Sequence, residues 1–132
     1  MEIVRMETNF FHGHLHTIYS VRDGSSHLKD VVERIKSIGQ KSFSATEHGN
    51  IYSSTKLFNL SKELDLKYVL GMECYIAEDY LDTKNPKTFH TTLLADGQNG
   101  YKELVKLITL ANTKGYARKP RIDLNLLSQT KY

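Results

Sequence analysis

Three histidines stand close together near the start of the chain, in the segment His12-Gly13-His14-Leu15-His16. We predict a strand over Phe10–His16, and on a strand the side chains of alternate residues share one face. His14 and His16 then project together at a separation of about 7 Å. Two imidazoles at that spacing can bind one metal ion or two neighbouring ions. A short His-x-His segment also matches often by chance, and three solvated histidines on a half-exposed strand are the alternative interpretation.

Further residues of metal-binding type lie near the ends of other predicted strands, namely Asp23, His48, Glu73 and His90. In parallel α/β folds, the carboxyl ends of the strands and the loops after them form the site. Imidazole combined with carboxylate is a ligand set for Zn, Mn or Fe, whereas sites made of oxygen alone suit Mg or Ca. Cys74 could supply a thiolate, but a lone cysteine in an apolar segment is better interpreted as a small buried hydrophobe.

The elements that must position these residues follow from the apolar periodicity. Strands are predicted at Phe10–His16, Ser42–Thr46, Tyr68–Leu70, Glu73–Ala77 and His90–Ala95. Four helices are predicted. The first has one apolar face, made of Leu28, Val31, Val32, Ile35 and Ile38, and the second covers Ser53–Leu64. The third carries the apolar residues Leu104, Val105, Ile108 and Ala111, and a short fourth helix is capped by Asp123. Strands that alternate with helices predict an α/β fold with parallel pairing, as an open sheet or as part of a barrel.

Turn residues predict where several of these elements begin and end. Ser25 or Ser26 is the expected N-cap of the first helix, because serine hydroxyls accept hydrogen bonds from free helix amides. Gly39 is the expected residue after its C-terminal end, where a left-handed conformation is favoured. The segment Tyr80–Thr88, which contains Asn85-Pro86, is predicted to be a loop.

Four segments in chain order resemble the motifs of the PHP family, in the branch that opens the alpha subunits of bacterial-type DNA polymerase III. They are His12–Ser20 followed by Asp23-Gly24, Thr46-Glu47-His48-Gly49-Asn50, Gly71-Met72-Glu73-Cys74-Tyr75 and Phe89–Ala95. The later segment Lys119-Pro120-Arg121-Ile122 is similar to the corresponding segment of the polymerase branch and not to that of histidinol-phosphate phosphatases. The resemblance covers the chain from about Phe10 to its last residue.

The resemblance implies the N-terminal part of a distorted seven-stranded (βα) PHP barrel, with residues 1–132 as a single partial domain. It also implies up to three divalent metal ions, Zn, Mn or Fe, with six ligands in this chain: His14, His16, Asp23, His48, Glu73 and His90. His12 and Glu47 are expected beside these ligands, and Glu47 stands where the family usually has aspartate. The remaining family ligands, a histidine and an Asp-x-His pair, are expected downstream, together with the polymerase domains.

The function implied by the resemblance is a metal-dependent phosphoesterase module in DNA replication, with 3′–5′ exonuclease or pyrophosphate hydrolysis as its activity. One alternative is an inactive structural PHP module that stabilises the polymerase or docks a proofreading exonuclease. Another is a stand-alone small-molecule phosphatase. This chain by itself is expected to be weakly active or inactive, because part of the ligand set is downstream. The expected partners are DNA, through the parent polymerase, and a proofreading exonuclease subunit. A second copy of the chain is a further expected partner, with a weakly stable monomer as the alternative.

Composition sets further limits. The chain is 39% hydrophobic and 25% charged with a net charge of +3, which is ordinary for a globular domain. No apolar run is long enough for a membrane span, and Met1–Phe10 lacks the layout of a secretory signal. The single cysteine excludes an internal disulfide, so a cytoplasmic location is expected. Lys119 and Arg121 lie in a local basic cluster and are weak candidates for nucleic-acid contact, with a solvated loop as the alternative.

Overall fold

The computed structural model describes residues 9–131, so most of the Met1–Phe10 segment lies outside the described residues. Helices and strands alternate along this part of the chain, which confirms the α/β class. In order they are α1 (Leu28–Ser37), β1 (Ser42–Ala45), α2 (Ser54–Glu63), β2 (Lys67–Ile76), β3 (Phe89–Leu94), α3 (Gly97–Thr113), β4 (Arg121–Ile122) and α4 (Leu124–Leu127). Within residues 9–131, no helix combines the length and the apolar character that crossing a bilayer requires.

Strand β2 is the centre of the sheet. Its first half pairs in parallel with β1, with Ser42 opposite Lys67, and its last two residues pair in parallel with β4. Its second half pairs with β3, where Gly71 lies opposite Leu94. Parallel pairing is therefore confirmed for β1 and β4, whereas β3 is antiparallel. The reason is that residues 77–88 connect β2 to β3 without a helix, and a loop of this kind reverses the chain direction.

Three predicted strands differ from the structure. Phe10–His16 is an extended segment and not a regular strand: its His12 forms a single bridge to Phe43, although the Thr46 amide also donates to the Leu15 carbonyl at 2.8 Å. The predicted strands Tyr68–Leu70 and Glu73–Ala77 are joined in one ten-residue strand, β2, which ends one residue earlier, at Ile76. Gly71 does not interrupt it, because the lack of a side chain there admits close packing: a Cβ would lie 2.5 Å from Ser44 Oγ.

The end of α1 agrees with the sequence and its beginning does not. Gly39 has a φ of 79° and its amide donates to the Lys36 carbonyl, which is the expected glycine stop. The N-cap is His27, without a side-chain hydrogen bond, and not Ser25 or Ser26. Ser26 serves the preceding loop instead, since its carbonyl accepts from the Ile18 amide at 3.1 Å.

Two apolar clusters hold the elements together. The first packs α1 and α2 on β1 and includes the fully buried side chains of Val32, Phe43 and Leu57. The second packs α3 on the second half of β2 and on β4, through residues that include Leu104 and Ile122. Cys74 is buried in this second cluster, as predicted for a small hydrophobe.

The short helix α4 begins at the cap residue that the sequence predicts. The Asp123 side chain accepts a hydrogen bond from the Leu126 amide at 2.7 Å and caps α4. The same carboxylate faces the Tyr80 amide at 3.5 Å, at the start of the long loop. Asp123 therefore fixes a helix and a loop at once.

Arg121 has a structural position that contradicts its predicted contact with nucleic acid. Its side chain is fully buried. Its guanidinium donates hydrogen bonds to four backbone carbonyls, those of Gly115, Asn85, Tyr80 and Asp82, at 2.6 to 3.2 Å. A guanidinium has five donors in a rigid fork, which suits several carbonyls at once. Arg121 therefore ties the long loop and the end of α3 to β4.

We expect Arg121→Met to lower the free energy of unfolding by about 3 kcal/mol, because it removes the donors of four backbone carbonyls, one bond buried and three part-buried. Arg121→Lys should be intermediate, since an ammonium keeps the charge but cannot reach all four carbonyls. Urea denaturation measures both. Lys102→Met, on the exposed surface of α3, is the control and should change stability by less than about 0.5 kcal/mol. An Arg121→Met protein as stable as this control would contradict the assignment.

Candidate metal centre

The donor atoms of His14, His16 and Glu73 form a small triangle. His14 Nε2 lies 3.0 Å from His16 Nε2 and 3.0 Å from Glu73 Oε2, and His16 Nε2 lies 3.5 Å from Glu73 Oε2. Tetrahedral ligands at metal distances of about 2.0–2.1 Å are separated by about 3.4 Å. The three donors therefore have the spacing of ligands on one ion, and their chemistry fits a divalent metal.

Glu73 connects this triangle to a further histidine. It lies in the middle of β2 and is buried, and its second oxygen, Oε1, is 2.8 Å from His48 Nδ1. Burial alone would raise the pKa of Glu73. Hydrogen bonds from His48 and His14 outweigh that effect and hold the pKa below its usual value, so the carboxylate is ionised and able to bind a cation.

His48 and Asp23 form a second group of donors. His48 Nε2 lies 3.0 Å from both carboxylate oxygens of Asp23. Burial lowers the pKa of His48, but the hydrogen bonds with Asp23 and Glu73 raise it overall. The pKa of Asp23 is lowered chiefly by its hydrogen bond with His48. The His48 ring is 4.2 Å from that of His16, so the two groups adjoin.

Glu47 lies beneath the site and orders the loop that carries its ligands. Its fully buried carboxylate accepts hydrogen bonds from the amide and the hydroxyl of Thr17 and from the hydroxyl of Ser20. Its carbonyl accepts from the Glu73 amide at 3.1 Å. Glu47 therefore fastens the loop after His16 to the strand that carries Glu73.

Ser20 fixes the tautomer of His16. The Ser20 hydroxyl donates its only proton to Glu47, and its oxygen lies 2.8 Å from His16 Nδ1. Nδ1 must then be the donor, so Nε2 carries the lone pair and faces the triangle. Burial is the main cause of a lowered pKa at His16, which favours the neutral, metal-binding form. Sequence reasoning missed this role, although Ser20 stands four residues after His16.

The remaining predicted residues lie at the margin. The His90 ring is 6.1 Å from that of His14, and its residue sits on β3 opposite Tyr75. His90 is exposed and outside the donor triangle. His12 packs its ring against Phe10 at 4.8 Å and is bridged to β1, so it contributes no donor to the triangle.

The sequence is similar to proteins of bacterial DNA replication. The family model for the PHP domain matches residues 12–132. DNA polymerase III subunit alpha of Helicobacter pylori (strain ATCC 700392 / 26695) is 39% identical over 122 residues, which are 91% of this chain and 10% of that protein. The Aquifex aeolicus protein of the same name is 34% identical over 134 residues, 94% of this chain and 12% of that protein. The chain spans about a tenth of the length of these relatives.

Two solved structures share the fold at low sequence identity. A protein from Bifidobacterium adolescentis described as a metal-dependent phosphoesterase has a TM-score of 0.57 and 19% identity, over 76% of this chain and 32% of that one. An amidohydrolase from Chromobacterium violaceum has a TM-score of 0.58 and 16% identity over the same shares. With the family model matched from residue 12 onward and the family's motifs gathered around one cluster of donors, this chain belongs to the PHP domain family.

Proposed function

We propose that this chain is the PHP module of a DNA polymerase III alpha subunit and works in replication as a metal-dependent phosphoesterase, as a 3′–5′ exonuclease or by hydrolysing pyrophosphate. The observation that carries the proposal is the triangle of His14, His16 and Glu73 donors at 3.0 to 3.5 Å. The named relatives support the replicative setting.

The two donor groups would hold neighbouring divalent ions. His14, His16 and Glu73 would bind one ion, while His48 and Asp23 would bind a second, with His90 at the edge of the site. Zn, Mn or Fe suits this mixture of imidazole and carboxylate. When bound, such ions lower the pKa of a coordinated water molecule and neutralise charge on phosphoryl oxygens.

The protein's own contribution would be orientation and charge. Glu73 presents one oxygen to each donor group and stays ionised. Glu47 and Ser20 hold His16 in the tautomer whose Nε2 lone pair faces the site. Supporting hydrogen bonds of this kind maintain ligand geometry and basicity.

A second candidate function, a structural module that docks another protein, is supported by an apolar groove away from the metal centre. The groove lies between α2, β2 and the start of α3, and its lining includes Phe58, Leu94 and Tyr101, each more than 40% exposed. β3 is bonded to β2 alone within residues 9–131, so its outer edge is available for pairing. We propose a second copy of the chain or a proofreading exonuclease as the occupant.

The metal site is tested by the double variant His14→Ala, His16→Ala. Removing two of three converging donors should lower the affinity for Zn²⁺ or Mn²⁺ by at least about 100-fold, because loss of a mere supporting residue already costs 10–100-fold. Metal content after dialysis, measured by mass spectrometry, is the readout. His27→Ala is the matched control, since His27 is an exposed histidine outside the cluster. Equal metal retention by the double variant and the control would refute the site.

We expect no primer extension by this chain. Polymerisation needs paired carboxylates that hold two Mg²⁺ ions. Between Tyr101 and Lys131 no strand carries such a pair, because Asp123 stands alone and caps α4. A primer-extension assay with labelled template tests this. Metal-dependent extension that copurifies with the chain after removal of host polymerases would overturn the prediction.

We expect concentration-dependent dimers, because the exposed apolar groove and the free edge of β3 favour association. Sedimentation equilibrium over a range of concentrations measures the dimer fraction. Leu94→Lys should weaken the dimer by placing a charge at the strand edge, whereas Val21→Lys, on an exposed loop elsewhere, should not. A stable monomer at all concentrations would show that this surface does not mediate self-association.

A further inference from the structure

A basic hollow lies beside the metal centre. It has a volume of about 630 Å³ and is lined by the segments 85–88 and 117–119, which contribute Lys87, Arg118 and Lys119. No lining residue is acidic. Among the ion pairs between residues 9–131, none includes these three cations. All three side chains are exposed, and the contacts of Lys87 and Lys119 are with aromatic rings and not with acidic groups.

Two ring contacts join the hollow to the metal centre. Lys119 Nζ lies 4.3 Å from the centre of the Tyr75 ring, and that ring stacks on His48 with 6.5 Å between centroids. Pro120 packs against Gly49, where a Cβ would lie 2.5 Å from Pro120 Cγ. Lys119 is thus separated from His48 by one aromatic ring.

Arg121 holds both walls of the hollow in place. Its guanidinium donates to the Asn85 carbonyl in one wall and to the Gly115 carbonyl just before the other. Arg121 also pairs with Tyr75 in the sheet. Arg121 therefore links the two walls by hydrogen bonds, and walls held in this way lower the entropic cost of binding.

The backbone at Arg118 has an unusual conformation for a residue that carries a side chain. Arg118 has a φ of 63°, a conformation that glycine adopts without strain and a residue with a Cβ adopts at a cost. Folding alone would favour glycine here. Strained residues of this kind cluster at functional sites.

We propose that Lys87, Arg118 and Lys119 bind successive phosphates of a single-stranded nucleic acid and lead its end to the metal centre. The inference rests on the proposed function, because the metal centre would act on the strand that the hollow positions. Cations attract the phosphate backbone whatever its sequence. Phe89, 67% exposed with Lys87 Nζ 5.4 Å from its ring centre, adds an aromatic surface for a base. Basic grooves with exposed aromatic rings are typical of single-strand binding.

The test is fluorescence anisotropy with a labelled oligothymidylate of about a dozen nucleotides, in EDTA so that binding does not require metal. Lys87→Gln, Arg118→Gly and Lys119→Gln should each weaken binding several-fold. Each should also reduce the slope of log affinity against log salt by about 0.7, the value for one lost phosphate contact on a single strand. Lys102→Gln on α3 removes the same charge elsewhere and should leave affinity and slope unchanged.

Arg118→Gly separates binding from folding. Since glycine suits the backbone at this position, the melting temperature should stay the same or rise while the affinity falls. Metal content of all three variants should equal that of the wild type. Two independent sites would be indicated if metal content falls only in the double variant His14→Ala, His16→Ala and DNA affinity falls only in the Lys87, Arg118 and Lys119 variants. If wild type retained no metal while the cation variants still lost DNA affinity, the proposed function would fail and the basic subsite would stand.

The proposal is overturned if a variant that combines Lys87→Gln, Arg118→Gly and Lys119→Gln binds the oligonucleotide with the affinity and salt slope of the Lys102→Gln control. It is also overturned if polyglutamate of equal charge binds as tightly as the oligonucleotide, since the hollow would then recognise acidic polymers in general. Displacement of the oligonucleotide by thymidine monophosphate at equal phosphate concentration would assign the cations to a small phosphate and not to a strand.

Discussion

The carboxylate of Glu47 is the interaction on which the rest of the site depends. A buried anion is costly unless hydrogen bonds compensate it, and here Thr17 and Ser20 provide them. These bonds fold the loop after His16 over the end of β1. Because the Ser20 hydroxyl donates its proton to Glu47, His16 must carry its own proton on Nδ1. The unprotonated Nε2 then faces the other metal-binding atoms, those of His14 and Glu73. A buried carboxylate thus determines the tautomer of a histidine in the donor cluster.

Strand β2 provides the geometric frame. Glu73 at its centre faces His14 through one oxygen and His48 through the other, so the register of β2 against β1 places both donor groups. The antiparallel β3 brings His90 alongside Tyr75, near the same site. One strand therefore sets the relative positions of residues that are widely separated in sequence.

Sequence patterns predicted those features that depend on near neighbours. The apolar face of α1, its glycine stop at Gly39 and the Asp123 cap are all local, and each is present. The direction of β3 depends on how the chain returns after residue 76, which periodicity does not encode. Burial of Arg121 depends on carbonyls far along the chain, so its basic surroundings were misleading. The sequence motifs identified His14, His16 and Glu73 as metal-binding residues. The role of Ser20 is visible only in the geometry, because serine is common and its position in the sequence does not indicate a contact with His16.

The distance along the chain between Arg121 and its acceptors has a consequence for synthesis. The carbonyls of Tyr80, Asp82 and Asn85 precede Arg121 by 36 to 41 residues. All donors of the triangle lie at or before Glu73. On the ribosome, the donor cluster can assemble from chain that has already emerged, whereas the long loop keeps its carbonyls hydrated until β4 arrives. The donor cluster and the loop that Arg121 holds therefore reach their final positions at different times, and the loop does so last.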